Sequence, residues 1–184
     1  YRDIYYKNRA TGGGAIQDAL THMINAVEWM VGPVVSLAAD AAHQVLDGVT
    51  VEDTVHLLAR HAWNKAGDGI AGSQVLASYA LNQYQAPTEV GITVICERGT
   101  ARFEPMEHRW RWMIEPNSTW HDEVFPAAER DAMYLAQANG FLDAVEGKGP
   151  GGPVACTLEE AEQTLRVNLA ALASAEAGAL RELG

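Results

Sequence analysis

The residues with the clearest capacity for chemistry lie near the start of the chain: Asp18, His22 and Asn25, within GGGAIQDALTHMINAVEW over 12–29. On a helix turning about 100° per residue, with Asp18 as zero, His22 falls near about +40°, Asn25 near about −20° and Trp29 near about +20°. The four then form one narrow column. A carboxylate and an imidazole four residues apart stand about 5–6 Å apart at Cβ, close enough for the acid to orient the ring and raise its basicity. Such a pair does acid/base work near neutral pH. The same column also reads as a solvated helix face, where Asp, His and Asn are ordinary. Trp29 weighs against that reading, because a large aromatic is an odd choice for bare solvent. So does the triplet Gly12–Gly14, which lets another backbone or a ligand approach the helix start. The triplet lacks the Lys and Ser/Thr of a phosphate loop, so it is not read as a nucleotide site.

The column needs an element to carry it. Ile16, Leu20, Met23, Val27 and Val31 fall on the opposite side as an apolar stripe, so a helix is expected from Ala15 to Val31, closed by Gly32 and Pro33. From Val34 to about Pro116 the period changes to that of strands: VEDTVHLLARHAW, a glycine-rich turn at 66–72, SQVLASYAL, TEVGITVICE, the Arg98-Gly99-Thr100 turn into ARFEP, then HRWRWMIEP. Short connections favour antiparallel pairing. Val90, Ile92, Val94 and Cys96 share one face of their strand; Trp110, Trp112 and Ile114 lie opposite Arg109 and Arg111 on theirs. The tryptophan face reads as core under helices, with an interface as the alternative. A second helix is expected over 130–145, then the loop EGKGPGGPVAC, then a long alanine-rich helix opened by the capping-box spacing of Thr157 and Glu160. The expected architecture is α+β: one domain over 1–184, with an open-faced, mostly antiparallel sheet and helices packed on one face.

Composition narrows the partners. A chain of 184 residues, 48% hydrophobic and 20% charged, is long enough to bury a substantial core. Its formal charge of −11 would repel a phosphate backbone, so no nucleic acid is expected. No apolar run approaches the ~20 residues of a membrane helix, and no signal-peptide core is present. Two cysteines, Cys96 and Cys156, lack metal or redox spacing and fit a reduced, cytoplasmic setting. His56 and His61 are five apart on a strand and point to opposite faces, and His108 and His121 have no ligand partners at suitable spacing. No metal is therefore expected. The chain begins at Tyr1 rather than Met and is expected to be a piece of something longer.

These motifs carry a family resemblance. GGGAIQDALTHMINAVEWMVG resembles the helix G-G-G-x-x-x-D-x-x-x-H-x-x-D-x-x-x-x-L-x-G that opens the C-terminal domain in the glucose-fructose oxidoreductase, inositol dehydrogenase and MocA-like (Gfo/Idh/MocA) family. VEDTVHLLARHAW resembles the family's E-D-T strand, and TEVGITVICERGTARFE its strand, turn and strand. AMYLAQANGFLDAVEGKGP and TLEEAEQTLRVNLAALASAEAG resemble its closing helices. The resemblance implies an NAD(P)-dependent oxidoreductase acting on a sugar, cyclitol or related small hydroxy or carbonyl compound. In such a protein NAD or NADP is bound mainly by an N-terminal Rossmann domain. No G-x-G-x-x-G followed by a βαβ pattern and no Glu-Lys-Pro motif is found here, so that half is expected to be absent and the isolated chain inactive.

By the same resemblance, His22 is the acid/base histidine and Asp18 the acid that cooperates with it. Asn25 stands where many members have Asp; its amide can bind a substrate hydroxyl but cannot act as a base. Tyr5, Tyr6 and Arg9 precede the helix where the family often places substrate contacts. Oligomers packed sheet to sheet, and so a homodimer, are also implied. The alternative is a non-catalytic binding or oligomerisation module derived from that family.

Overall fold

A computed structural model of the chain describes residues 5–63, 73–148 and 156–183. The glycine-rich turn at 66–72 and most of the loop before the last helix, 149–155, lie outside the described residues. In chain order the elements are a π-helical segment Ala15–Leu20, α1 Thr21–Val31, β1 Val34–Ala42, β2 Thr54–Ala62, β3 Gln74–Asn82, β4 Ile92–Cys96, β5 Gly99–Glu104, β6 Arg109–Met113, β7 His121–Val124, α2 Ala132–Glu146, α3 Leu158–Ala177 and β8 Arg181–Glu182. The fold is α+β. Its strands divide between two antiparallel sheets of four, ordered β3-β2-β1-β8 and β4-β5-β6-β7, where the sequence suggested one. Alternation marks strands without saying which of them pair, and no ladder joins β3 to β4. The sheets fall in two compact units, Tyr1–Tyr84 with Cys156–Gly184, and Gln85–Ala155.

In the first unit the expected periodicities are met. Along β2, Val55, Leu57, Ala59 and His61 are buried while His56, Leu58 and Arg60 are exposed. The inward set packs against Ile16, Leu20 and Ile24 of the first helical stretch and Val167, Ala171 and Leu172 of α3. Met23 and Val27 of the expected stripe pack at the margin of this core. A second small cluster joins Tyr6 to Leu46, Val49 and Val51. The helix α3 opens with the capping box: the Glu160 N–H donates to the Thr157 hydroxyl at 3.2 Å and the Thr157 N–H to the Glu160 carboxylate at 2.8 Å. It ends at Ala177 with Gly178 as its cap, φ +58°, and the chain turns back to pair β8 with β1.

In the second unit, Ile92, Val94, Ala101, Phe103, Trp110 and Trp112 share one face of the sheet by register. The opposite face carries Arg102, Glu104, Arg109 and Arg111, as the alternation requires. Glu104 pairs with Arg109 at 3.0 Å and Arg111 at 3.1 Å, and the Arg102 and Arg111 guanidinium groups lie over the Trp120 ring. The β7 strand escapes the sequence reading because HDEV has no apolar alternation. Its His121 stacks on Trp112, with ring centroids 5.6 Å apart. α2 follows the expected span closely and has no buried residue among those described.

Candidate active site

The start of the first helix is built around a buried carboxylate. Glu52, 5% exposed, accepts the Ile16 N–H at 3.2 Å, and its own carbonyl accepts the Ala15 N–H at 2.9 Å. A negative charge suits a helix N-terminus, and Arg9 at 3.5 Å balances it from the other side. This crowding explains the glycines. A Cβ on Gly13 would overlap the Tyr6 carbonyl and stand 2.9 Å from that of Asn8; one on Gly14 would overlap the Glu52 carboxylate. Gly14 also sits at φ +114°, ψ 156°, a conformation almost confined to glycine. What approaches the triplet closely is this chain's own backbone and Glu52.

Asp53, the next residue of the E-D-T sequence, is fully buried and organises the loop after β1. It accepts the backbone N–H of Gln44 at 2.9 Å, Val45 at 2.8 Å and Leu46 at 2.8 Å, and the Thr54 hydroxyl at 3.0 Å. Burial alone would raise its pKa, but these four donors outweigh burial and hold it at about 2, below the ordinary 3.8. Glu52 and Asp53 are thus structural acids, one serving the helix start and the other the loop.

Asp18 lies on the π-helical segment, where the Thr21 N–H reaches back five residues to the Ile16 carbonyl. The wider turn breaks the 100° arithmetic before α1 begins. The Asp18 carboxylate is half-buried and accepts the Tyr5 hydroxyl at 2.5 Å. His22 is exposed one turn further on, with no hydrogen-bond partner among the described residues, so the expected Asp18–His22 bond is not made. Trp29 is exposed on the same helix.

Asn25 is placed differently. Its amide donates to the Thr164 hydroxyl of α3 at 3.2 Å, and that hydroxyl donates to Glu28 at 2.7 Å. Glu28 also accepts from Gln163 at 3.1 Å and the Val34 N–H at 3.0 Å, while Asn168 donates to Thr21 at 2.8 Å. The expected single column therefore splits: Thr21, Asn25 and Glu28 face α3, whereas His22 and Trp29 face solvent. Thr21, Asn25 and Glu28 are spaced i, i+4, i+7, a stripe visible in the sequence that points to a polar helix seam. Tyr5, Glu28 and Glu52 had no such local signal in their roles.

The far end of α1 is fixed by a buried histidine. His61 holds the Gly32 carbonyl at 2.7 Å through Nδ1 and the Tyr79 hydroxyl at 2.8 Å through Nε2. A carbonyl only accepts, so Nδ1 carries the proton and Tyr79 donates to Nε2. Burial and then the Glu28 charge push the Tyr79 phenol above its usual range, which keeps it the donor. His56, on the opposite face, is exposed. No group of three or more His, Cys, Asp or Glu that could hold a metal ion occurs among the described residues. No helix among them is long and apolar enough to cross a membrane.

Two stretches have the G-x-G-x-x-G spacing, 67–72 and 147–152. The first lies between the antiparallel partners β2 and β3, and the second between α2 and α3. Neither joins a strand to the helix of a βαβ unit, the context in which such glycines hold a pyrophosphate.

The fold has solved counterparts. The apo form of levoglucosan dehydrogenase superposes with a TM-score of 0.80 at 14% identity, covering 98% of this chain and 54% of that one. The WlbA dehydrogenase from Bordetella pertussis, in complex with NADH and UDP-GlcNAcA, matches at TM-score 0.65 and 21% identity, over 100% of this chain and 52% of that one. An oxidoreductase from Agrobacterium radiobacter, in complex with NAD+, L-tartaric acid and magnesium, matches at TM-score 0.67 and 20% identity, over 91% and 48%. The chain thus spans about half the length of the structures it resembles. Among curated proteins, none has a significant sequence match. The model of the GFO/IDH/MocA C-terminal domain matches residues 1–102, more than half of the chain, and by that match the protein belongs to the GFO/IDH/MocA family.

Proposed function

We propose that this chain is the substrate-binding, C-terminal part of an NAD(P)-dependent oxidoreductase, with His22 as its acid/base residue. The observation that carries the reading is the exposed imidazole of His22 at the start of α1, one turn after the half-buried Asp18, in a chain of this family. The nicotinamide cofactor, held mainly by a separate dinucleotide-binding domain of the parent protein, supplies the hydride acceptor or donor. The residues of this chain fit the substrate end of such a site. They offer a base and hydroxyl-binding groups, and among the described residues no strand-to-helix phosphate cradle. In the oxidative direction His22 takes the proton of the reacting hydroxyl, and in the reductive direction it returns it. An imidazole suits both because its ordinary titration lies near neutral pH. Asp18, with Tyr5 at its side, is the acid that borders the reacting centre. Asn25, its amide engaged with Thr164, serves by holding α1 in place.

A sugar, cyclitol or similar polyhydroxylated compound fits these groups best. Solved relatives of this fold are bound to levoglucosan and NADH, to L-sorbose and NADH, and to UDP-GlcNAcA and NADH. We place the enzyme in the reducing cytoplasm, in keeping with two exposed free thiols, Cys96 and Cys156. The homodimer is assigned to the outer face of the β3-β2-β1-β8 sheet. There Leu58, 65% exposed, and Leu76, 71% exposed, share a face with Ala38, Ser78 and Ala80 and with the exposed His56 and Arg60.

The test is His22→Ala in the full-length parent, assayed by NAD(P)H absorbance against a panel of sugars and cyclitols. The expected loss in kcat is about 100-fold or more. Full activity in that variant removes His22 from the role. A parent protein with no dehydrogenase activity on any member of the panel supports a non-catalytic module instead.

A further inference from the structure

Asp18 is held from outside the helix. Tyr5 reaches it across thirteen positions, and its hydroxyl donates to Asp18 Oδ1 at 2.5 Å. A hydroxyl that donates to a carboxylate makes a charge-assisted hydrogen bond, stronger than one between neutral groups.

Tyr5 stands on a segment fastened at several points. The Thr11 hydroxyl donates to the Tyr5 carbonyl, and the Gly13 N–H donates to the Asn8 carbonyl at 3.1 Å. The Thr50 N–H donates to the Lys7 carbonyl at 2.9 Å. The neighbouring Tyr6 is 1% exposed, packs with Leu46, Val49 and Val51, and donates to Gln83. Arg9 ties the same segment to Glu52 and Glu176. A side chain on so fixed a base has little freedom to lose when it holds a partner, so the bond orients Asp18 at small entropic cost. The π-helical turn that carries Asp18 departs from α-helical register at this point, and π-turns are frequent at functional sites.

We propose that Tyr5 is a positioning residue that acts through Asp18: its hydroxyl sets the orientation of the carboxylate beside the reacting centre. The inference rests on the functional reading above, since it gives Asp18 its catalytic surroundings. It differs from a substrate-contact role for Tyr5, because it places the effect in the Tyr5–Asp18 bond.

The experiment is a cycle of Tyr5→Phe, Asp18→Asn and the double variant in the full-length protein, with His22→Ala run alongside. Tyr5→Phe is expected to lower kcat about 10-fold or more, the worth of a hydrogen bond to a charged group, with KM changed less than kcat. Its thermal midpoint should stay close to that of the unmodified protein. In the Asp18→Asn background the same change is expected to cost little more. An equal loss in both backgrounds, or full activity of Tyr5→Phe while His22→Ala is inactive, overturns the proposal and leaves the functional reading standing. A second readout is independent of turnover: the 13C resonance of the Asp18 carboxyl should move in Tyr5→Phe while that of exposed Asp47 stays in place. An unmoved Asp18 resonance overturns the positioning contact. A moved resonance with an active His22→Ala variant keeps the contact and fails the functional reading.

Discussion

Asn25 of α1 and Thr164 of α3, 139 positions apart, are joined by a 3.2 Å hydrogen bond, and the same hydroxyl donates a hydrogen bond to Glu28. This relationship turns the most site-like amide in the sequence into part of a helix seam. Removing Asn25 as Ala leaves Thr164 bonded to Glu28 and should cost about 1 kcal/mol. Removing Glu28 as Ala takes the acceptor from the Val34 N–H and the Thr164 hydroxyl, while the Gln163 amide keeps its bond to the Val34 carbonyl at 3.0 Å, and should cost more, about 2–4 kcal/mol. Urea unfolding of both variants, with Thr164→Ala to close a cycle on Asn25, checks the ranking. A larger loss for Asn25→Ala than for Glu28→Ala contradicts it.

Asp53 predicts a pH dependence of stability. Its folded pKa, about 2, lies below the ordinary 3.8, so the unfolded chain binds the proton more readily. The stabilisation is therefore fully present above about pH 4 and is lost as pH falls toward about 2, amounting to about 2 kcal/mol. The difference in unfolding free energy between the protein and Asp53→Asn should shrink by that amount between pH 5 and pH 2. A difference that stays constant over this range refutes the assignment.

The three glycines before the helix should not be equivalent. A Cβ at Gly12 meets nothing within 4 Å, so Gly12→Ala bears only the left-handed backbone, φ +83°, at about 1–2 kcal/mol. Gly14→Ala adds displacement of the buried Glu52 to a glycine-only conformation, and should cost about 3 kcal/mol or more. Gly13→Ala collides with backbone, which cannot rotate away, and should be the most damaging. Thermal midpoints in the order Gly12, Gly14, Gly13, from mildest to most severe, are the expected result.

For the proposed dimer, a charge placed on the outer sheet face should be decisive. The unmodified protein is expected to sediment as a dimer, and Leu58→Asp combined with Leu76→Asp as a monomer at the same concentration; an unmodified protein that sediments as a monomer refutes the proposed dimer. Both side chains are exposed in the single chain, so the fold itself should be kept. Unchanged sedimentation moves the interface elsewhere.

Several features of this molecule were already determined by local sequence. Strand alternation in β2, β5 and β6, the stop at Gly32 and Pro33, and the Thr157–Glu160 capping box all depend on residues within a few positions of each other. The physics of pleat and cap acts over that range. The spacing of Gly12–Gly14, Asp18 and His22 and the E-D-T of β2 were equally legible, and they carried the family. What only tertiary structure decided was the partner of each polar group. Asp18 took Tyr5, Asn25 took Thr164, Glu52 took the helix start and His61 took Gly32 and Tyr79. Most of these pairs join distant parts of the chain, and hydrophobic periodicity contains no term for such encounters. The π-helical turn was hidden for a related reason: its apolar positions fit an α-helix, and the Glu52 carboxylate that shapes its first turn comes from the far side of β1. A polar residue's type limits the bonds it can make, but the packing of the whole chain chooses among them.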